Sequence, residues 1–133
     1  MFPWWQPQIG MEEYRLVRKV LESGFLNDGD VTSRFEAELA TLLGVRYVVG
    51  VSSGTAALFL ALASLGVGVG DEVLVPDVTF IATANAVTLA GATPVLVDIT
   101  PQTLTIDPEA CARAITPRTK AIIAVHISGR AAA

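Results

Sequence analysis

A single cysteine, Cys111, is all the chain offers for sulfur cross-linking. No intrachain disulfide can form, which excludes a disulfide-stapled secreted mini-protein. Charge is also sparse. Only 17% of the 133 residues are charged, and 9 basic residues stand against 13 acidic ones, a net charge of −4. The basic residues are scattered, whereas a nucleic-acid binder needs a basic stripe to offset phosphate charge. That class is set aside, and no metal-ligand cluster is read from the sequence. Aliphatic residues are plentiful instead: hydrophobic residues make up 52% of the chain. This supports one compact domain with a real core and excludes disordered or collagen-like chains.

A targeting segment is also missing. Met1-Phe2-Pro3-Trp4-Trp5 has no basic flank, and Glu12 and Glu13 arrive before any long apolar stretch, unlike a signal peptide. The longest uncharged run, Tyr47 to Gly70, is divided by Ser52-Ser53-Gly54-Thr55 and weakened by Gly66, Gly68 and Gly70. A strand, a turn and a helix explain it better than a membrane span. The expected compartment is the cytoplasm. Trp4 and Trp5 are read as packing residues.

Periodicity divides the chain near residue 45. Residues 1–45 read as helical. Leu16, Val17, Val20 and Leu21 recur at helical spacing before Gly24, and Phe35, Leu39 and Leu42 do so before Gly44. Between them, Phe25 to Thr32 has turn chemistry. Ser33 and Glu36 have the spacing of a capping box. Residues 46–133 alternate short apolar runs with helices. Strands are expected at Tyr47–Val51, Glu72–Val75, Pro94–Val97 and Ala121–Val125. Helices are expected at Thr55–Leu65, at Phe80–Ala90 and after the Asp107-Pro108 cap. Continuous apolar strands alternating with helices imply an α/β fold, with a mostly parallel sheet covered on both faces. The chain stops soon after its last strand, so the front portion of a larger protein is expected.

One segment stands out for chemistry. In Gly50-Val51-Ser52-Ser53-Gly54-Thr55-Ala56-Ala57-Leu58 a strand is expected to run through Ser-Gly-Thr straight into a helix. The unpaired N–H groups of that helix's first turn, together with its dipole, suit a phosphate, though an ordinary Ser-capped helix has the same sequence. The segment also matches Gly-x-Ser-x-Gly with Ser52 at its centre, and Asp98 and His126 follow in hydrolase order. The helices ahead of it are the wrong context for a nucleophile elbow. Pro76-Asp77-Val78-Thr79-Phe80 follows a strand, on the side where open α/β sheets bind ligands. There Phe80 could stack on a planar ring or pack as a core residue.

Several segments taken in order carry a resemblance. They are Phe35-Glu36 with Ala40, Ser53-Gly54-Thr55-Ala56-Ala57-Leu58, and Gly70-Asp71-Glu72-Val73 leading to Pro76. The series continues with Thr79-Phe80, Ala90-Gly91-Ala92-Thr93-Pro94-Val95 with Asp98, and Ile106-Asp107-Pro108. Thr116-Pro117-Arg118-Thr119-Lys120-Ala121-Ile122 and Val125-His126 with Gly129 close it. Together they resemble the pyridoxal-phosphate-dependent sugar aminotransferases of the DegT/StrS type over nearly the whole chain.

The resemblance implies the N-terminal part of the large domain of a fold-type-I pyridoxal-phosphate-dependent transferase. The cofactor pyridoxal 5′-phosphate would have its phosphate at Gly54, Thr55 and Ala56 and its ring stacked on Phe80. Phe25, Leu26, Asn27 and Asp28 would form a substrate-side loop within residues 1–45. The implied full-length enzyme is a homodimer that moves an amino group, commonly from glutamate, to a keto group on a nucleotide-linked sugar. The family's cofactor-bearing lysine and its ring-nitrogen aspartate fall beyond the residues matched here. Lys19 and Lys120, the only lysines, match neither role. No catalytic residue is therefore assigned, and the 133 residues alone are expected to be inactive. A sugar dehydratase of the same family, with a histidine replacing the lysine, and a non-catalytic truncated paralogue or remnant are the alternatives.

Overall fold

The computed structural model describes residues 6–133; Trp4 and Trp5 lie outside the described residues. The chain forms two compact units, one up to Gly50 and one from Val51 to Ala133.

The first unit holds α1 (Met11–Ser23) and α2 (Asp30–Leu43). The Glu13 side chain accepts the Gly10 N–H at 2.7 Å, satisfying a donor ahead of α1. A bond to its own backbone first, and then the Gly10 bond, hold the Glu13 carboxyl below its ordinary range. Gly24 and Gly44 end the two helices in the left-handed conformation, which costs glycine nothing. The Ser33–Glu36 capping box does not form, because α2 starts earlier, after Gly29. Glu36 instead accepts the Gly50 N–H at 2.6 Å.

The second unit is an α/β layer structure. In chain order it contains α3 (Gly54–Ser64), β1 (Glu72–Pro76), α4 (Ala82–Leu89), β2 (Thr93–Val97), α5 (Pro108–Ala114) and β3 (Thr119–Ile122). The sheet is parallel with order β2-β1-β3. Alternation along β1 sends successive side chains to opposite faces. Val73 and Val75 join Leu62, Val67, Ala86 and Val87 from the α3 and α4 side. Leu74 joins Val97, Ile106, Ala110 and Cys111 from the α5 side. Every residue of β1 is buried, as a central strand covered on both faces requires. Burial, and secondarily the nearby Asp107, pushes the Cys111 thiol up.

Two strand expectations change. Tyr47–Val51 is irregular rather than a strand. Its β-branched residues favour extended backbone, but a strand exists only where a neighbour takes its hydrogen bonds. The last strand is Thr119–Ile122 rather than Ala121–Val125. Its start follows from the Glu72 N–H donating to the Arg118 carbonyl at 2.8 Å, and its register from Val73 facing Ala121. The parallel sheet with helices on both faces is as expected, with three strands instead of four. Among the described residues, no helix is long and apolar enough to cross a membrane.

Candidate cofactor-binding site

The short turn between α3 and β1 reverses the chain. The start of α3 therefore lies toward the carboxyl end of the sheet, the same end at which β1 delivers Asp77–Phe80. Ser53 caps α3 from extended backbone. Its Oγ accepts the Ala56 N–H at 3.1 Å, and its carbonyl accepts the Ala57 N–H at 3.0 Å. The N–H groups of Gly54 and Thr55 have no acceptor among the described residues. Nothing lies within 4 Å of where a side chain on Gly54 would begin. Ser53, Thr55 and Ala56, with Phe59 and Leu89, line a concavity of about 360 Å³. Two free donors at the positive end of a helix, with an open approach over a glycine, fit a phosphate monoester.

Phe80 is 77% exposed, so it does not pack as a core residue in this structure. Its carbonyl accepts the Thr83 N–H at 3.0 Å, and the Thr79 and Thr83 hydroxyls meet at 2.9 Å beside it. These bonds pin the backbone where β1 turns into α4 and leave the Phe80 ring free to cover a planar ligand. Asp98 directly follows β2, at the same end of the sheet, and is exposed. Its carbonyl, rather than its carboxylate, is engaged, accepting the Asp107 N–H at 3.0 Å.

In the first unit, Phe25, Leu26 and Asn27 line a concavity of about 570 Å³ with Lys19, Ser23 and Asp30 among its other walls. Asp28, expected with them, is not part of that lining. Lys19 escaped the sequence reading as a companion of the loop. The available signal was helical spacing, which puts Lys19 and Ser23 on one face of α1 just ahead of the loop.

The hydrolase pattern does not assemble. No strand leads into Ser52. His126 Nδ1 accepts the Ala132 N–H at 3.0 Å, whereas a triad histidine donates from that nitrogen to its acid. Lys120 is the second residue of β3, next to Thr119, which pairs with Glu72 at the amino end of the sheet. Sequence reading also missed a cluster at that end. The buried Glu72 carboxylate accepts the Thr116 hydroxyl at 2.6 Å and Arg118 Nε at 2.9 Å. The Thr116 bond first, then Arg118, holds the Glu72 carboxyl below its ordinary range against the opposing cost of burial. An acid opening an otherwise apolar strand was the signal available. The cluster ties β1 to β3 opposite the candidate site.

The chain also matches known proteins along nearly its whole length. A family model described as "DegT/DnrJ/EryC1/StrS aminotransferase family" matches residues 7–133. The spore coat polysaccharide biosynthesis protein SpsC of Bacillus subtilis (strain 168) is 48% identical over 128 residues, covering 96% of this chain and 33% of SpsC. DesV of S. venezuelae superposes with a TM-score of 0.88 at 45% identity, over 92% of this chain and 33% of DesV. Spr1654 of Streptococcus pneumoniae, solved in a PLP form, gives a TM-score of 0.94 at 39% identity, over 98% of this chain and 33% of its own. The chain thus spans about a third of the length of the relatives it matches.

Proposed function

This chain belongs to the DegT/DnrJ/EryC1/StrS aminotransferase family, and from that premise we propose that it supplies the phosphate-binding and ring-stacking part of a pyridoxal 5′-phosphate site. The enzyme it serves moves an amino group, with glutamate as donor, to a keto group of a nucleotide-linked sugar. The observation that carries this reading is the pair of free N–H groups at Gly54 and Thr55, at the same sheet end as the exposed Phe80. Pyridoxal phosphate, when bound, supplies the electron sink for amino-group transfer.

The roles of this chain's own residues follow from their chemistry. Gly54 and Thr55 donate backbone N–H groups to the phosphate, and the Thr55 hydroxyl adds a third donor. Ala56, whose N–H Ser53 already holds, keeps the approach open with its small methyl. Phe80 covers one ring face and excludes water from it. In the first unit, Phe25 and Leu26 give the sugar an apolar wall, and Asn27 gives it a hydrogen-bonding partner. Lys19 supplies positive charge for the nucleotide's phosphates. Exposed apolar side chains such as Leu42 at 80% and Val69 at 93% favour burial against further protein. A cytoplasmic homodimer is the assembly we propose.

The test compares binding of pyridoxal phosphate and of inorganic phosphate to three chains. Thr55→Val should weaken both ligands by about tenfold to a hundredfold, as loss of one hydrogen bond to a charged group does. Phe80→Ala should weaken pyridoxal phosphate alone. Unchanged affinities in both variants would overturn the reading.

A further inference from the structure

Two segments that stand out in the sequence, residues 70–73 and 116–122, meet at the amino end of the sheet, away from the candidate cofactor site. There the pairing of β3 is irregular. Glu72 pairs with Thr119, but Val73 pairs with Ala121, so Lys120 between them has no partner on β1. Such a surplus residue is a bulge, which interrupts the ladder and bends the strand. Different forces hold the two sides of this bulge. Ala121, with Ile123 just beyond the strand, packs against the cluster that contains Val73 and Val75. A slip by one residue would set the exposed Lys120 opposite Val73 and turn it toward that apolar face. Burial therefore fixes β3 from Ala121 onward. It does not fix Thr119.

The turn that delivers Thr119 is tied to Glu72 instead. Within the turn, the Thr119 N–H reaches the Thr116 carbonyl at 3.0 Å, and Thr119 Oγ1 accepts the Thr116 N–H at 2.9 Å. The Thr116 hydroxyl accepts the Arg118 N–H at 3.1 Å and donates its own hydrogen to Glu72 Oε2. Glu72 Oε1 accepts from both Nε and Nη2 of Arg118. Both carboxylate oxygens are thus occupied, and a proton added to either one competes with a donor already in place. Arg118 is the charge that faces this carboxylate. β2, α3 and α4 carry no titratable residue. In α5, Cys111 packs beside Leu74, Arg113 lines a concavity with Leu96 and Asp98, and Glu109 is exposed in the first turn. Asp71 is engaged by the Gly68 N–H at 3.0 Å, and Lys120 is exposed at the bulge.

We propose that Glu72 is an acid-released latch on β3: its carboxylate holds the 116–119 turn and the bulge at Lys120, and protonation opens the turn and removes the bulge while pairing from Ala121 onward persists. The Thr116 bond first, and then Arg118, hold the Glu72 carboxyl below its ordinary range. The latch is therefore closed at neutral pH and opens as pH falls through that lowered value. It stands independently of the cofactor reading, since it uses the opposite end of the sheet.

The test is an NMR pH titration of the full, isotope-labelled chain, with the Glu72 carboxyl carbon reporting its own protonation. Hydrogen exchange, corrected for its intrinsic pH dependence, follows the turn. As Glu72 takes up its proton, the Arg118 Nε–H and the Arg118 and Thr119 amides should lose protection about tenfold. The contact between Val73 and Ala121 should persist through the same step. Glu72→Gln, which exchanges one acceptor for a donor, should show the released turn already at neutral pH. Thr116→Val leaves the carboxylate and Arg118 in place and should move the release to higher pH, a readout that remains if the Gln variant does not fold. Turn signals that stay protected through the Glu72 titration would overturn the inference. So would their loss together with the Val73–Ala121 contact, which is plain unfolding, or an unchanged release pH in Thr116→Val.

Discussion

Leu74 and Leu96 offer a matched pair of perturbations, since both are leucines in neighbouring strands of one sheet. Leu74, on β1, is fully buried against Val97, Ile106, Ala110 and Cys111. Leu96, on β2, faces Val75 in register but is 62% exposed, because β2 is an edge of the sheet. Leu→Ala removes three carbons, worth about 0.8 kcal/mol each when buried, or about 2.4 kcal/mol of transfer free energy. At Leu74 the hole left between β1 and α5 adds a cavity cost, because helix and strand are both anchored elsewhere. The total falls in the range of about 2–5 kcal/mol. At Leu96 most of the side chain already meets water, and the loss should stay within about 0.5 kcal/mol. Urea unfolding followed by circular dichroism measures both, with the denaturant slope checked for constancy. Equal midpoints for Leu74→Ala and Leu96→Ala would refute the assignment of β1 as a strand covered on both faces.

Other outcomes follow from the same packing and hydrogen bonds. Ser53→Ala should cost about 1 kcal/mol by exposing the Ala56 N–H, and Ser53→Gly only a few tenths; equal losses in the two variants would count against the cap. The Glu72 carboxyl is held below its ordinary range in the folded chain. Its contribution to stability is therefore complete above that range and drains away as pH falls through the lowered value. Glu72→Gln should flatten the acid limb of a stability–pH curve, and an unchanged slope would remove the carboxylate from the account. Salt should weaken this effect only in part, because Arg118 is solvent-facing while the Thr116 hydroxyl bond is not ionic. Borohydride treatment with pyridoxal phosphate should leave Lys19 and Lys120 unmodified. Peptide mapping that finds one cofactor per chain on either lysine would contradict their placement outside the cofactor site.

Much of the second unit was legible because its signals are local. Asp107 and Pro108 open α5 as the side-chain chemistry demands, and the Asp107 carboxylate accepts the Glu109 N–H at 2.9 Å. β1 and β2 were visible as apolar runs bounded by glycine, proline and acid. The errors fall where a remote partner decides. Tyr47–Val51 has strand-forming residues and no strand beside it. Glu36 has capping-box spacing from Ser33, yet bonds to the Gly50 N–H far along the chain. The phosphate-binding turn was readable from Ser53-Gly54-Thr55 alone, since helix donors are a backbone property.

The burial of β1 on both faces and its pairing along both edges also order events in time. Each of its N–H groups that donates to a neighbouring strand is shielded by two helical layers as well as by the ladder itself. Exchange with deuterated solvent then requires the whole second unit to open, while α1 and α2, which bury no residue fully, can exchange through local fraying. Val73, Leu74 and Val75 should therefore keep their protons longest, and their exchange rates report the free energy of global unfolding for that unit.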